Sequence, residues 1–279
     1  MPDVYLNGEF LPADKACIPV LDRGFIFGDS VYEVIPVYGA KMFRLEQHLQ
    51  RLDNSLAGVR LANPMTHEAW EKVLDELVTR NHGGDMSIYL QITRGVSTRD
   101  HAFPVDTRPT VFAMCSPVKS PASDIFEKGV LAITAEDIRW KRCNLKTTSL
   151  LPNILLRQQA IDAKAYETIL IRDGQVTEGT SSNVFIVRNN TLITPPPSEL
   201  LLPGITRDLV LELASENNID NSEDTISEKQ LRQADEIWLS SSIREIIPVT
   251  QLDDKTISGG APGPLWRQMA NIFQSFKRI

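Results

Sequence analysis

Apolar positions along the chain change their period several times, and those changes mark its elements. Near the N-terminus "VYLNGEFL" (4–11) and "VYEVIPVY" (31–38) read as strand-like pieces separated by Gly and Asn turn signals. From Arg44 the period lengthens, and Leu45, Leu49, Leu52, Leu56 and Val59 fall on one helical stripe. A second helix is expected from Thr66, as N-cap, through Trp70, Val73, Leu74 and Leu77. "MSIYLQIT" (86–93) and "TVFAMC" (110–115) return to the strand pattern, with the polar loop "RGVSTRDHAFPVDTRP" (94–109) between them. "SPVKSPASD" (116–124) combines prolines with small polar residues and reads as a linker.

Beyond the linker, strand and helix signals alternate more. "VLAIT" (130–134) is a strand, and Leu150 to Ala163 a helix with Ser149 as N-cap and Pro152 in its first turn. "TILIRDGQVTEG" (168–179) is a hairpin closed at Asp173-Gly174, and "NVFIV", Asn189-Asn190 and "TLIT" form a second. Thr206 is expected to cap a helix reaching Asn217, and "DEIWLSS" (235–241) is a strand. Leu265, Met269, Ile272, Phe273 and Phe276 form the stripe of a last helix. The outline is α/β (α+β lobes): a small N-terminal α/β domain over 1–118, a linker over 119–124 and a larger domain over 125–279.

Composition narrows the function classes. A chain of 279 residues, 42% hydrophobic and 23% charged, has the makeup of a globular protein that buries a substantial core. A net charge of -7 with no basic stripe argues against nucleic acid as a partner. Three cysteines, Cys17, Cys115 and Cys143, make no disulfide framework, and no CxxC pair is present to hold a metal. The N-terminus lacks the apolar run of a signal peptide, and no stretch is apolar enough to span a bilayer. The expectation is a cytoplasmic protein that binds neither membrane nor nucleic acid.

Several residues could carry chemistry. Lys146 sits between Leu145 and the hydroxyl run Thr147, Thr148 and Ser149, in a segment that also holds Arg139, Lys141 and Arg142. It is either one more surface lysine or a nucleophile whose pKa is depressed by desolvation and nearby cations. Glu178, leaving a strand for a Gly-Thr-Ser-Ser turn, is a solvated turn residue or, if buried, needs a cationic or proton-bearing partner. In "LLLPGITRDLVLEL", Gly204, Ile205 and Thr206 stand where a helix begins, and free N–H groups at such an end favour a phosphate. Ser240, Ser241 and Ser242 add hydroxyls at a strand end. Arg51 lies roughly 100° off its helix's apolar stripe, on the side of His48, either solvated or turned inward. Arg99 and His101, with Arg94 nearby, form a cationic loop that could clamp a carboxylate.

Taken in order, "LDRGFIFGDSVYEV", "RLEQHLQRL", "RCNLKTTSLL", "TEGTSSNVF" and "LPGITRD" resemble the motifs of the fold-type IV, pyridoxal-phosphate-dependent aminotransferases. The similarity runs from about Tyr5 to the C-terminal helix, and the Arg-x-His loop before "FP" looks most like the D-amino acid (D-alanine) aminotransferases. The resemblance implies a larger C-terminal domain with a β-barrel-like core and a pyridoxal 5'-phosphate cofactor. Lys146 matches the lysine that binds the cofactor as a Schiff base, and Glu178 the acid that keeps the pyridine nitrogen protonated. Arg51, Ile205, Thr206, Ser241 and Ser242 match the phosphate cup, and Leu202 a leucine packed on the ring. Tyr32, Arg99 and His101 match the trap for the substrate α-carboxylate. Because the family donates that loop from a partner subunit, a homodimer is implied.

Ile243 and Arg244 depart from the small hydroxyl residues common at this point of the D-alanine enzymes, and bear on the side-chain pocket. The expected reaction is ping-pong transfer of an amino group between a D-amino acid and a 2-oxo acid such as 2-oxoglutarate. A branched-chain L-amino acid aminotransferase and an aminodeoxychorismate lyase share the scaffold and are the enzymatic alternatives. A cofactor-free binding protein would leave the lysine, glutamate and phosphate cup without a role.

Overall fold

The computed structural model describes residues 1–118 and 123–277. Two compact units emerge: Met1–Lys119 with Leu145–Leu150, and Ser120–Asn144 with Leu151–Ile279. Of the linker expected at 119–124, residues 119–122 lie outside the described residues. Leu145–Leu150, which the sequence outline places in the second domain, lies with the first unit.

In the first unit the elements are β1 (Asp3–Leu6), β2 (Glu9–Pro12), α1 (Arg23–Phe27), β3 (Ser30–Tyr38), β4 (Lys41–Met42), α2 (Leu45–Gly58), α3 (His67–Arg80), β5 (Met86–Thr93) and β6 (Thr110–Pro117). The strands form an antiparallel sheet in the order β2-β1-β6-β5-β3-β4. Alternation sets its faces: Val31, Ile35 and Val37 of β3 join Ile88, Leu90 and Ile92 of β5 under α2 and α3. Leu49, Leu52 and Leu56 of α2 and Trp70, Leu74 and Leu77 of α3 close that core. Each such side chain contributes about 1.5–3 kcal/mol by leaving water. Thr66 caps α3 as expected, its hydroxyl accepting from the Ala69 N–H at 3.3 Å.

The second unit comprises α4 (Ser123–Lys128), β7 (Val130–Glu136), α5 (Leu151–Asp162), β8 (Glu167–Arg172), β9 (Gln175–Gly179), β10 (Asn183–Arg188), β11 (Thr191–Thr194), α6 (Ile205–Glu216), β12 (Asn221–Glu223), α7 (Glu228–Arg232), β13 (Glu236–Ser241), β14 (Glu245–Leu252), β15 (Lys255–Thr256) and α8 (Pro264–Lys277). Its sheet runs β12-β11-β10-β13-β14-β7-β8-β9, with β15 on β14. The end strand β9 also packs against β10, so the sheet curls back on itself into the expected barrel-like core. Val184, Ile186, Ile237, Leu239, Ile247 and Val249 fill it. On the outer side α6 packs on β13 and against α8, which is why "EIWLS" is buried without alternation.

Two local expectations need correction, and one strand was unforeseen. Ser149 does not cap α5, which begins at Leu151; residues 145–148 instead run beside β3, and the exposed Ser149 hydroxyl reaches the Gly28 carbonyl at 3.5 Å. Thr206 does not cap α6 but is its second residue; Gly204 is the N-cap, in extended backbone. A side chain at Gly204 would collide with Asn183 Oδ1, so the approach of these two segments selects glycine. Strand β14 was not anticipated, because Pro248 interrupts its apolar run; there the proline sits opposite Trp238. No helix among the described residues is long and apolar enough to cross a membrane.

Candidate active site

Lys146 is held by backbone pairing rather than on a free surface. Its N–H donates to Ser55 Oγ at 3.1 Å, and its carbonyl accepts from the Tyr32 N–H at 2.9 Å. The Thr148 N–H donates to the Ser30 carbonyl at 3.1 Å, extending the pairing. Leu145 packs into the space left by Gly58, where any side chain would collide with it. The half-buried Lys146 amine sits 4.3 Å from the centroid of the Tyr32 ring, a cation–π distance.

Arg51 is turned inward, and it meets a buried carboxylate that sequence reasoning missed. Glu33 is fully buried and accepts from Arg51 Nε at 2.9 Å and Nη2 at 2.8 Å, and from His48 Nδ1 at 2.8 Å. Burial pushes the Glu33 carboxyl up, but Arg51 and His48 overcome it and hold it far below the usual carboxylate range. Burial also lowers the His48 pKa, and the charges of Arg51 and Lys146 add to that against the pull of Glu33. The ionised Glu33 carboxylate can only accept, so Nδ1 is the donor. One signal was available: in β3 the inward positions 31, 33, 35 and 37 are Val, Glu, Ile and Val.

Arg99 and His101 lie exposed in the 94–109 loop, and both pack on Phe27. The Arg99 guanidinium carbon is 5.3 Å from that ring's centroid and the His101 ring 5.5 Å. Tyr32, half-buried, stacks on Tyr89 at 5.6 Å.

In the second unit Glu178 is buried and partnered. Arg139 Nη1 donates to Oε1, while the Leu202 N–H at 3.1 Å and Asn183 Nδ2 at 3.4 Å donate to Oε2. Burial nonetheless leaves the Glu178 carboxyl above its ordinary range, against the pull of Arg139 and the Leu202 N–H. Arg139 is 8% exposed, so of the three cations just before Lys146 in sequence this one is an interior charge. Asp137 holds it through Oδ1 at 2.9 Å and Oδ2 at 2.9 Å. Asp137-x-Arg139 spacing is too common in loops to have announced this pair.

The first turn of α6 suits an anion. Its N-cap, Gly204, offers no side-chain hydrogen bond, so no side chain caps the leading N–H groups of Ile205 and Thr206. Ser241 ends β13, with Ser242 next to it, both half-buried; the neighbouring Ser240 hydroxyl is buried without a hydrogen-bond partner. The uncapped helix start fits a bound phosphate. Arg244 stacks over Tyr166 at 5.2 Å and reaches Glu167 at 3.8 Å. No group of three or more metal-ligating side chains occurs among the described residues.

Residues 30–252 match the model of the amino-transferase class IV family. The chain belongs to that family. It is 41% identical over 272 residues to a D-alanine aminotransferase of Bacillus licheniformis, covering 98% of this chain and 96% of that one. With a D-alanine aminotransferase of Staphylococcus haemolyticus it shares 36% identity over 277 residues, 99% and 98% of the two chains. Its fold matches the branched-chain amino acid aminotransferase of Escherichia coli at a TM-score of 0.92 and 26% identity, over 98% of this chain and 94% of that one. A second branched-chain amino acid aminotransferase, solved with pyridoxamine 5'-phosphate, matches at 0.92 and 26%, over 99% and 94%. This class IV chain is an aminotransferase, and class IV aminotransferases use pyridoxal phosphate.

Proposed function

We propose that the protein transfers an amino group between a D-amino acid, D-alanine or a close analogue, and a 2-oxo acid such as 2-oxoglutarate. Near-full-length identity to D-alanine aminotransferases carries this reading, and the Arg99–His101 pair gathered on Phe27 supports it. The pyridoxal phosphate, when bound, supplies a reactive carbonyl and an electron sink. Lys146 Nζ would hold it covalently and, once displaced by the substrate amine, would carry the proton lost from the substrate Cα. Glu178 keeps the ring nitrogen protonated, with Leu202 against the ring. Arg51, the Ile205 and Thr206 N–H groups, the Thr206 hydroxyl, Ser241 and Ser242 hold the phosphate. Tyr32, Arg99 and His101 hold the substrate carboxylate.

The working form is a cytoplasmic homodimer in which each Arg99–His101 loop serves the partner's site. Apolar residues left in solvent support an interface: Val20 and Phe25 are 73% and 77% exposed in the first unit, and Leu151, Ile154 and Leu155 of α5 are exposed in the second. A second reading, a branched-chain L-amino acid aminotransferase, is favoured by the TM-scores to those enzymes. Half-reactions with D-alanine, D-glutamate, L-leucine and L-glutamate, followed by the change in cofactor absorbance, separate the two. D-alanine fastest supports the proposal, and L-leucine fastest overturns it.

A further inference from the structure

The loop that carries Arg99 and His101 is anchored far more firmly than its exposure suggests. Its neck closes at Gly95, in the left-handed region at φ +92, where a side chain would collide with the Arg108 carbonyl oxygen. Beside the neck, Asp22 is 1% exposed and accepts from Thr93 Oγ1 at 3.0 Å and Thr110 Oγ1 at 2.6 Å. The Arg23 N–H donates to the Gly95 carbonyl at 2.9 Å.

Past the neck, two buried arginines share one carboxylate. Asp29 accepts from Arg23 Nε at 2.8 Å, Arg94 Nε at 2.8 Å and Arg94 Nη2 at 3.0 Å. Burial raises the Asp29 carboxyl, but the two arginines outweigh it and hold it below its ordinary value. Arg23, 4% exposed, uses Nη1 to bond the Asp100 carbonyl at 2.6 Å and the Ala102 carbonyl at 3.3 Å, the two groups that bracket His101. Arg94 lies 3.8 Å from the Phe103 centroid, two residues farther on.

The side chains then meet one ring. Phe27 ends α1, a single turn fixed by the Asp22 cap at its start and left-handed Gly28 at its end. Arg23 lies 4.8 Å from the Phe27 centroid, Arg99 5.3 Å and His101 5.5 Å. An exposed arginine loses rotamer freedom when it grips a ligand, and a ring that already limits its rotamers reduces that loss. Asp29 matters to the same end, because it compensates the Arg23 charge that shares the ring with Arg99.

We propose that Phe27, with Arg23 clamped by Asp29, is a positioning platform that preorganises Arg99 and His101 for the substrate carboxylate. The inference rests on the reading that this pair binds that carboxylate. Phe27 and Arg23 act through the pair and do not touch substrate.

The test uses the full-length, cofactor-loaded protein and whichever amino acid it turns over fastest. Phe27→Leu keeps apolar bulk but removes the aromatic face. It should raise the KM values for amino acid and 2-oxo acid about fivefold to thirtyfold, the effect of losing one or two cation–π contacts. Turnover at saturation should stay within about twofold, since the reacting groups are intact. Phe27→Tyr should restore both KM values. Hydrogen exchange in cofactor-free protein adds a readout independent of activity: amides of the 94–109 loop should exchange faster in Phe27→Leu. Arg23→Gln provides a second variant, with the same direction in KM and exchange. Arg99→Ala tests the reading beneath. Unchanged KM values in Phe27→Leu and Arg23→Gln, with a raised KM in Arg99→Ala, overturn the platform alone. Unchanged KM values in Arg99→Ala overturn the carboxylate reading and the platform with it. Equal losses toward a primary amine that lacks a carboxylate also overturn the platform, by showing a general structural role.

Discussion

Arg51 and Glu33 meet edge to edge, with Nε 2.9 Å from Oε1 and Nη2 2.8 Å from Oε2, and the carboxylate has no exposure to water. The two parallel bonds fix the guanidinium plane, and His48 Nδ1 adds a further bond to Oε2. Arg51 therefore has two separable duties: neutralising Glu33 and, in the proposed function, binding the cofactor phosphate.

The separation can be measured. Arg51→Ala strands a buried carboxylate and should cost about 3–5 kcal/mol of stability, as broken buried pairs do. It should also weaken cofactor binding about tenfold to a hundredfold, the loss of one charge-assisted contact. The double variant Glu33→Gln/Arg51→Met removes both charges, so thermal or urea unfolding should show most of the stability regained. Titration with pyridoxal phosphate should show the affinity still low. Wild-type cofactor affinity in the double variant would mean that Arg51 serves the fold alone.

Sequence and structure diverge here for a physical reason. The helical stripe of α2, the Asp173-Gly174 hairpin and the Thr66 cap were legible because periodicity and turn chemistry are local. Lys146, Glu178 and Arg51 stood out only as members of ordered motifs. Glu33, Arg139 and Asp29 did not, because a buried charge is defined by a partner distant in sequence: Glu33 by Arg51, Arg139 by Glu178, Asp29 by Arg94. Glu33 left a trace, a lone acid at an inward strand position, while Asp29 between Gly28 and Ser30 looks like any turn acid. The expected caps at Ser149 and Thr206 failed because residues near 146 are committed to β3 and because Gly204 is committed to Asn183.

Lys146→Ala should abolish transamination while sparing the fold. The backbone of residue 146, which bonds Ser55 and Tyr32, is unchanged by truncating the side chain. Losing a proton-transfer group alone costs about 10²–10⁴ in rate. Borohydride treatment of wild-type protein should add cofactor mass to the peptide containing Lys146, and the variant should gain none. A labelled peptide elsewhere would move the covalent role to another lysine.

Glu178→Gln should keep only one of its contacts to Arg139 and Leu202, because Arg139 donates to Oε1 and the Leu202 N–H to Oε2 while an amide has a single acceptor oxygen. Without the negative charge the ring nitrogen loses its stabilising partner, and turnover should fall roughly tenfold to a hundredfold at saturating cofactor. Arg139→Met acts in the opposite sense on titration. Removing the charge that pulls the Glu178 pKa down lets burial raise it further, so the acid limb of the pH–rate profile should move to higher pH. An unmoved acid limb in a folded Arg139→Met protein would detach that limb from Glu178.

His48 makes stability pH-dependent with a definite sign. Its folded pKa is depressed below the ordinary 6.5, so below about pH 6.5 the unfolded chain takes up a proton that the folded chain refuses. The stabilising difference is fully present above that pH and declines as pH falls, by up to about 1.4 kcal/mol per pH unit. His48→Gln, which can still donate to Glu33, should flatten the urea-unfolding profile on the acid side of about pH 6.5. An identical slope in both proteins would show that another group sets it.

The substrate reading can be tested at Arg99 and His101, and with it the proposed dimer. A carboxylate trap fixes one substituent of Cα, and the base removes the proton from another, so together they select the enantiomer that reacts. If the loop serves the partner's site, its defects and those of Lys146 segregate between sites. Mixing an Arg99→Ala chain with an inactive Lys146→Ala chain gives mixed dimers in which half of the sites carry both defects and half carry neither. Activity toward D-alanine should therefore return on mixing to about a quarter of the wild-type level at equal proportions, because half of the dimers are mixed and half of their sites are intact. Subunit exchange is followed separately by co-purification on a tag carried by one chain. Exchange without recovered activity would place the loop in its own subunit's site, whereas faster reaction of wild-type protein with L-leucine than with D-alanine would replace the D-amino acid reading by the branched-chain one.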